Sequence, residues 1–457
     1  MKIIILGAGQ VGTSMGEILS REDNDVTLVD SDEEKLQGLQ DRLDIRTIVG
    51  AAAHPGVLEQ AGGPDADLVL AVTNHDEVNM AACQVAYSLF RTPKKIARIR
   101  SAEYLRHPEI FCDESIPIDV IISPEQVITQ RILHLIKYPG ALQVVDFAGG
   151  KIQLVALKAY YGGPLVGRQL RSIREDLPNV KSRVAAIYRQ NQPIIPKGDT
   201  VIEPDDEVFF VAGAPDIPIV MGELRSVEKP GRRIMLAGAG NIGGQLARRL
   251  EQDHYHVKLI EHGSIRARQA AEQLENTVVL HGDAADEELM LQENIDSMDV
   301  FCALTNDDEA NILSAMLAKR LGAHRTMALI NRSAYVELIE SLLDIAISPS
   351  QETVGSLLTH VRRGDMVAVH SLRRGAAEAI ETIAHGDAAS SRVVGRRIDE
   401  ISLPSGTTFG ALMRKDEVII PHHDTVIEPE DHVILFVIDK RHIHDVERLF
   451  QVKVTFV

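Results

Sequence analysis

Two stretches of this sequence carry residues suited to holding a phosphorylated ligand. Gly7-Ala8-Gly9-Gln10-Val11-Gly12 and Gly238-Ala239-Gly240-Asn241-Ile242-Gly243 share the spacing Gly-x-Gly-x-x-Gly. Each follows an apolar run and precedes a stretch of helical spacing, Thr13–Ser20 and Gly244–Leu250. Eighteen residues after the last glycine of each set, an acid ends the next β-prone run: Asp30 after Thr27-Leu28-Val29, and Glu261 after Lys258-Leu259-Ile260. Recognition of a dinucleotide requires this context. Gly7 and Gly238 allow a tight turn, and Gly9 and Gly240 let a pyrophosphate approach the backbone. Gly12 and Gly243 let the helix pack closely on the strand. The helix N-terminus offers unpaired N–H groups and partial positive charge to the phosphates. Asp30 and Glu261 would accept hydrogen bonds from ribose hydroxyls, and their charge disfavours a 2′-phosphate, hence NADP. The same glycines would also serve a bare strand–turn–helix junction that binds nothing.

Other residues extend these two sets. Thr73-Asn74 and Thr305-Asn306 fall at the carboxyl end of a fourth β-prone run, the edge where parallel sheets bind ligands, and either pair would also serve as a helix N-cap. Arg98 lies in a fifth run, where a guanidinium can bond phosphate bidentately or take part in a surface salt bridge. Its counterpart in the second set is Leu329, which contributes nothing polar. Conversely, Gly282-Asp283 stands where the first set has Gly50-Ala51. The two sites are therefore expected to differ, the first being better suited to a charge-dense phosphate group. His422-His423-Asp424 suggests a metal cluster, but its counterpart is Lys197-Gly198-Asp199, which points to a solvated turn. Cys83, Cys112 and Cys302 are odd in number and widely separated, so neither a disulfide framework nor a zinc site is expected.

The elements that position these residues occur twice. The motifs Thr73–Asn79 and Thr305–Asn311, Ile122–Gln126 and Ile347–Gln351, Leu165–Arg168 and Val393–Arg396, and Asp199–Asp206 and Asp424–Asp431 recur in the same order. Together with the glycine and acid matches they mark a tandem duplication. In the first copy, strands are expected at Ile3–Leu6, Val26–Asp30, Arg46–Val49, Leu68–Val72, Ile96–Ile99 and Val120–Ile122. Helices are expected at Glu33–Leu43 and Glu77–Leu89. Strands alternating with helices predict an α/β fold with a doubly wound, Rossmann-like parallel sheet. Ser123-Pro124 then opens a helix to Lys137, with Pro349–Arg362 as its counterpart, and both are candidates for contacts between subunits. Each copy continues into a smaller, β-rich α+β domain whose closing segment, 202–211, reads as a turn feeding an apolar strand. Arg225–Arg233 reads as the linker between copies. The expected domains are 1–123, 143–227, 232–348 and 366–453.

Composition narrows the function. Net charge is −18, from 66 acids against 48 bases, so phosphodiester backbones and anionic headgroups are repelled on average. Mean hydropathy is −0.03, and no apolar run approaches the roughly twenty residues of a membrane helix. The N-terminal residues lack the pattern of a signal peptide, and a cytoplasmic protein is expected.

The order of these motifs, duplicated as a whole, resembles the RCK/KTN family of potassium-transport regulators. The resemblance spans the chain. It implies N domains that bind NAD(H), or ATP or ADP in some members, and regulatory C domains. Its binding residues carry over here as Gly7, Ala8, Gly9, Gln10, Val11, Asp30, Thr73, Asn74 and Arg98, and as Gly238, Ala239, Gly240, Asn241, Ile242, Glu261, Thr305 and Asn306. The family's Gly-Asp signature matches Gly282-Asp283. The resemblance further implies a homotetrameric ring under a TrkH- or TrkG-type potassium channel subunit, peripheral on the cytoplasmic face of a bacterial inner membrane. No catalytic residues are implied. A dehydrogenase with a duplicated nucleotide domain, and a nucleotide-binding regulator without a membrane partner, are the alternatives.

Overall fold

In the computed structural model the first copy alternates strand and helix from its start. The order is β1 (Lys2–Leu6), α1 (Gln10–Ser20), β2 (Asp25–Asp30), α2 (Glu33–Gln40), β3 (Arg46–Val49), α3 (Pro55–Gln60), β4 (Leu68–Ala71), α4 (Asp76–Val85), β5 (Lys94–Arg98), α5 (Ala102–Leu105), β6 (Val120–Ile122) and α6 (Pro124–Lys137). The structure describes residues 1–22, 24–172, 180–224, 231–339, 342–361, 366–373 and 376–452. The strand pairing is wholly parallel in the order β3-β2-β1-β4-β5-β6, which reverses between β1 and β4. Residues 3–6 of β1 and all of β4 are buried, as central strands covered on both faces must be. On α1 the buried residues are Val11, Gly12, Met15, Gly16 and Leu19, one stripe at helical spacing.

A first β-rich domain follows: β7 (Ala141–Phe147), β8 (Ile152–Lys158), β9 (Ser182–Arg189), β10 (Gln192–Ile194), β11 (Glu207–Gly213) and α7 (Ile217–Leu224). The second parallel domain contains β12 (Arg233–Ala237), α8 (Asn241–Gln252), β13 (His256–Glu261), α9 (Ser264–Gln273), β14 (Val278–His281), α10 (Glu287–Gln292), β15 (Val300–Ala303), α11 (Asp308–Arg320), β16 (Thr326–Leu329), α12 (Ser333–Ile339), β17 (Ile345–Ile347) and α13 (Pro349–Val361). Its strands repeat the first order, as β14-β13-β12-β15-β16-β17. The last domain is β18 (Met366–Leu372), β19 (Ala377–Ile383), β20 (Thr407–Arg414), β21 (Glu417–Ile419), β22 (His432–Val437) and α14 (Ile443–Phe450). Both β-rich domains are five-stranded antiparallel sheets of matching order. The linker read at Arg225–Arg233 falls mainly on 225–230, outside the described residues.

Two compact units result: residues 1–128 with 349–361, and the described residues of 129–348 with those from 366 onward. In the first, Val354, Leu357, Leu358 and Val361 of α13 are buried in one cluster with Ile3, Ile5, Val11, Met15 and Leu19. In the second, Ile132, Leu135 and Ile136 of α6 are buried, and Arg325 donates to the carbonyls of Leu135 and Ala141 at 2.9 and 2.5 Å. The apolar stripes of both helices are buried within the chain, α13 on the first parallel domain and the later turns of α6 within the second unit.

The second unit also joins the two β-rich sheets face to face. Every residue from Ile152 to Leu157 is buried, because Ile152, Leu154 and Ala156 point to one core while Val155 and Leu157 point to another. The shared core places Phe209 against Phe436, ring centroids 5.6 Å apart and edge to face. The outer faces are covered by α7 and α14. Each closing segment is clamped by one arginine. Arg189 holds Asp206 with two nitrogens at 2.9 and 2.8 Å, and bonds Glu203 and the Val201 carbonyl. Arg414 does the same to Asp431, Glu428 and Val426.

Candidate functional site

The first glycine set forms the turn from β1 into α1, at the carboxyl end of the sheet where its strand order reverses. Gly7 has φ +107°, a region L side chains rarely adopt, and its N–H donates to the Val29 carbonyl at 2.8 Å. Gly9 is the extended N-cap of α1, at φ −74° and ψ −176°. The helix therefore begins at Gln10, inside the motif, rather than at the expected Thr13. This places its first unpaired N–H groups within the glycine turn itself. A Cβ on Gly9 would meet nothing within 4 Å, so the fold does not require glycine there, and open space lies over the turn. Gly12 differs: a Cβ would lie 1.9 Å from the Gly7 carbonyl oxygen. Its role is closure of the turn on itself, with the β4 side of the sheet, at Val72, a secondary neighbour at 3.4 Å.

Asp30 ends β2 beside this turn. One carboxylate oxygen accepts from the Ala8 N–H at 2.6 Å and the other from the Asp32 N–H at 2.9 Å. The acid thus fixes the glycine turn, and each oxygen retains further acceptor capacity. Thr73 follows β4, its N–H and hydroxyl both donating to Asn79 Oδ1 at 3.0 and 2.7 Å. The amide of Asn79 donates to the carbonyls of Thr73 and Arg98, tying the ends of β4 and β5 together. Asn74 is exposed beside it. The helix cap is His75, so the N-cap role considered for Thr73-Asn74 is not the one adopted.

The second set reproduces this geometry. Gly238 has φ +103°, α8 starts at Asn241 rather than Gly244, and Gly240 again has open space. A Cβ on Gly243 would stand 1.9 Å from the Gly238 carbonyl oxygen. Ala239 N–H donates to Glu261 at 2.7 Å and Gly263 N–H at 2.8 Å. Thr305 N–H and hydroxyl donate to Asn311 at 2.9 and 2.7 Å, and Asn311 reaches the carbonyls of Thr305 and Leu329. Here Asp307 caps α11 by accepting from Ala310 N–H, while Asn306 is exposed. Because Asn79 and Asn311 hold equivalent carbonyls, Leu329 stands in register with Arg98.

The two clefts diverge in charge. Arg98 is half-buried, forms no ion pair among the described residues, and its Nε is buried without a partner. Burial, and secondarily the charge of Arg100, push the guanidinium's pKa down, with Glu125 and Asp76 opposing. The neighbouring Arg100 makes the salt bridge, to Glu125 at 2.8 Å. Leu329 is buried and apolar. A Cβ on Gly50 would lie 2.6 Å from a Val57 methyl and one on Gly282 2.6 Å from a Leu289 methyl, so a larger residue at either position would require that side chain to shift. Asp283 is exposed, and its carboxylate accepts from Ala285 N–H at 2.8 Å.

The structure brings Gly7–Gly12, Asp30, Thr73 and Arg98 to one sheet edge, and Gly238–Gly243, Glu261, Thr305 and Asp283 to another. Sequence reasoning missed Asn79 and Asn311 as organisers, and Asp76 and Asp308, which accept the N–H groups just past β5 and β16. Their repetition in both copies of the Thr-Asn motif was the available signal. His422 N–H donates to Thr425 Oγ1 in an exposed turn, matching Lys197 N–H to Thr200 Oγ1 in the first copy. Cys83 and Cys302 are buried, and burial pushes each thiol up to about 12.

Both halves match known families: the TrkA-N domain at residues 3–124 and 234–349, and the TrkA-C domain at 154–218 and 388–451. The Trk system potassium uptake protein TrkA of Halomonas elongata is 62% identical over 457 residues, covering 100% of both chains. The protein of the same name from Vibrio alginolyticus is 59% identical over 453 residues, 99% of each. Among solved structures, the GsuK RCK domain superposes with a TM-score of 0.62 at 19% identity, over 98% of this chain and 94% of its own. The GsuK channel bound to NAD gives 0.61 at 18% identity, over 98% and 78%. Those two likenesses show a shared fold, and the full-length sequence relatives show more: the chain belongs to the TrkA family of Trk system potassium uptake proteins.

Proposed function

We propose that this protein is a nucleotide-sensing regulatory subunit that gates a membrane potassium channel of the TrkH or TrkG type. The observation that carries the reading is the twofold occurrence of one cleft: a positive-φ glycine turn, a helix starting within it, an open position at Gly9 or Gly240, and an acid beside it. Such a turn presents N–H groups to a pyrophosphate. The ligands are NAD(H) and ATP or ADP, with the first cleft favouring the terminal phosphates of ATP or ADP through Arg98. The cleft residues bind rather than catalyse, so NADH is not consumed. The domain limits are 1–123, 143–227, 232–348 and 366–453. Four chains form a ring on the cytoplasmic face of the inner membrane, held there by the channel subunit.

Gating follows from differential affinity. A nucleotide that binds one arrangement of the N domains more tightly than another shifts the ring towards it, and the ring transmits that shift to the channel. A ligand of equal affinity for both arrangements would change nothing. The test is potassium flux through the channel subunit in proteoliposomes, with this protein present, as NADH, NAD+, ATP and ADP are titrated. Flux that changes with nucleotide, while NADH absorbance stays constant, is the expected result. Flux indifferent to all four nucleotides would overturn the reading.

A further inference from the structure

The two β-rich domains meet in a pairing whose two ends hold equivalent residues of opposite copies. At one end Arg373, the residue after β18, reaches across to the first domain. Its Nε donates to Glu207 Oε2 at 2.5 Å, and Nη2 donates to Glu207 Oε1 at 3.3 Å and to Asn191 Oδ1 at 2.8 Å. The guanidinium carbon lies 4.2 Å from the centroid of the buried Tyr188 ring. Gln143 of β7 accepts from Arg373 N–H at 3.4 Å and donates to the Ser371 carbonyl at 2.9 Å. At the other end the same strand positions hold Ala148 for Arg373, His432 for Glu207, Asp416 for Asn191, Met413 for Tyr188 and Ala368 for Gln143. The backbone repeats, with φ +50° at Ala148 and +45° at Arg373. Ala148 N–H also crosses the seam, to the buried Glu381 at 3.0 Å, whose other oxygen stands 2.6 Å from His432 Nδ1. The turn is common to both copies, and the cationic clasp belongs to one end alone.

We propose that Arg373 selects the partner at this interface: it makes a first β-rich domain pair with a second one, rather than with another first domain from a neighbouring chain. The inference is independent of nucleotide binding by the clefts. Domains this similar could pair either way, and specificity is the difference between those pairings. Two first domains would set Ala148 opposite Glu207 at both ends, with no guanidinium for either carboxylate or for either Tyr188 face. Two second domains would turn both Arg373 side chains towards His432 and Met413. Asp416 would then replace Asn191, but the two-oxygen grip of Glu207 would be gone, and Glu381 is already engaged by His432. A bidentate guanidinium–carboxylate pair is stronger and more directional than a single contact. Only the mixed pairing supplies one.

The experiment uses the full chain carrying Lys151→Cys, Asp416→Cys and Cys112→Ser as the parent. Lys151 and Asp416 are exposed and meet across the opposite end of the pairing at 2.5 Å. A short bis-maleimide therefore bridges the two introduced thiols only where a first domain faces a second. Into this parent go Arg373→Glu, Glu207→Arg, the two together, and Arg373→Gln, with assembly mass read by light scattering. Expected in each charge reversal is a bridged-to-unbridged ratio roughly tenfold lower. Mass should rise above that of the parent as domains pair between chains. The double reversal restores both. Arg373→Gln removes charge without adding repulsion, so it falls between parent and reversal, and it carries the test should a reversal fail to fold. Bridging and mass unchanged in Arg373→Gln and the reversals would overturn the proposal. Bridging that falls while mass stays at the parent value would also overturn it, because the seam has then loosened without a change of partner. A double reversal that stays unbridged does the same.

Discussion

Gly9 and Gly12, three positions apart in one motif, serve different masters. At Gly12 an added methyl would sit 1.9 Å from the Gly7 carbonyl, against backbone that cannot yield. Gly12→Ala should therefore lower unfolding stability by about 3 kcal/mol or more in a urea titration and abolish first-cleft binding. At Gly9 the same methyl meets nothing, and the φ and ψ of an extended residue suit alanine. Gly9→Ala should stay within about 1 kcal/mol of wild type while weakening nucleotide binding more than tenfold. The thiols give a second check at this scale. Cys83 and Cys302 are 0% exposed and held up to about 12, whereas Cys112 is half-buried. At pH 8, Cys112 should be alkylated well before the other two. The sign of the linkage is fixed: an unfolded thiol loses its proton near pH 8.5 and a buried one near 12, so the two contribute stability that falls as pH rises through that window. Asp30 and Glu261 were legible because a strand-end acid at fixed spacing from glycines is a local pattern. Asn79 was not, because one of its partners is the Arg98 carbonyl, nineteen residues away, and no spacing rule encodes that contact.

Individual elements were legible to within a few residues where apolar periodicity was strong. Arg46–Val49, Val120–Ile122 and Pro124–Lys137 lie where the sequence places them. The helices α1 and α8 begin three residues early because the glycine motif caps them from within. What covers a stripe was not legible: spacing shows that α13 buries one face, and only the fold shows that the face lies against β1 and α1. The closing segments of the β-rich domains show a similar limit. The acid–proline–acid pattern reads as a turn, yet Asp206 and Asp431 are buried and each is clamped by an arginine seventeen residues upstream. Asp431→Ala would leave Arg414 without its main partner and Glu428 N–H without an acceptor. A loss of about 3 kcal/mol is expected in the unfolding transition of the second unit, measured by denaturant titration. A loss under about 0.5 kcal/mol would show that the clamp is merely a surface pair.

The whole molecule is a duplicated chain in which repetition preserved the scaffold and released the charges. The glycine turns, the strand-end acids and the Asn79 and Asn311 ties are common to both copies, whereas Arg98 and Asp283 each occur in one copy only. Two clefts of one geometry and two charge states are the basis of the proposal that one chain carries two nucleotide preferences. The most direct measurement is isothermal titration of the purified protein with NADH, NAD+, ATP and ADP, repeated on Asp30→Ala and Glu261→Ala. Two classes of binding are predicted, with ADP and ATP lost in Asp30→Ala and a separate class lost in Glu261→Ala. No binding to any nucleotide in protein shown to be folded would contradict the account, leaving two parallel sheets with no ligand to sense.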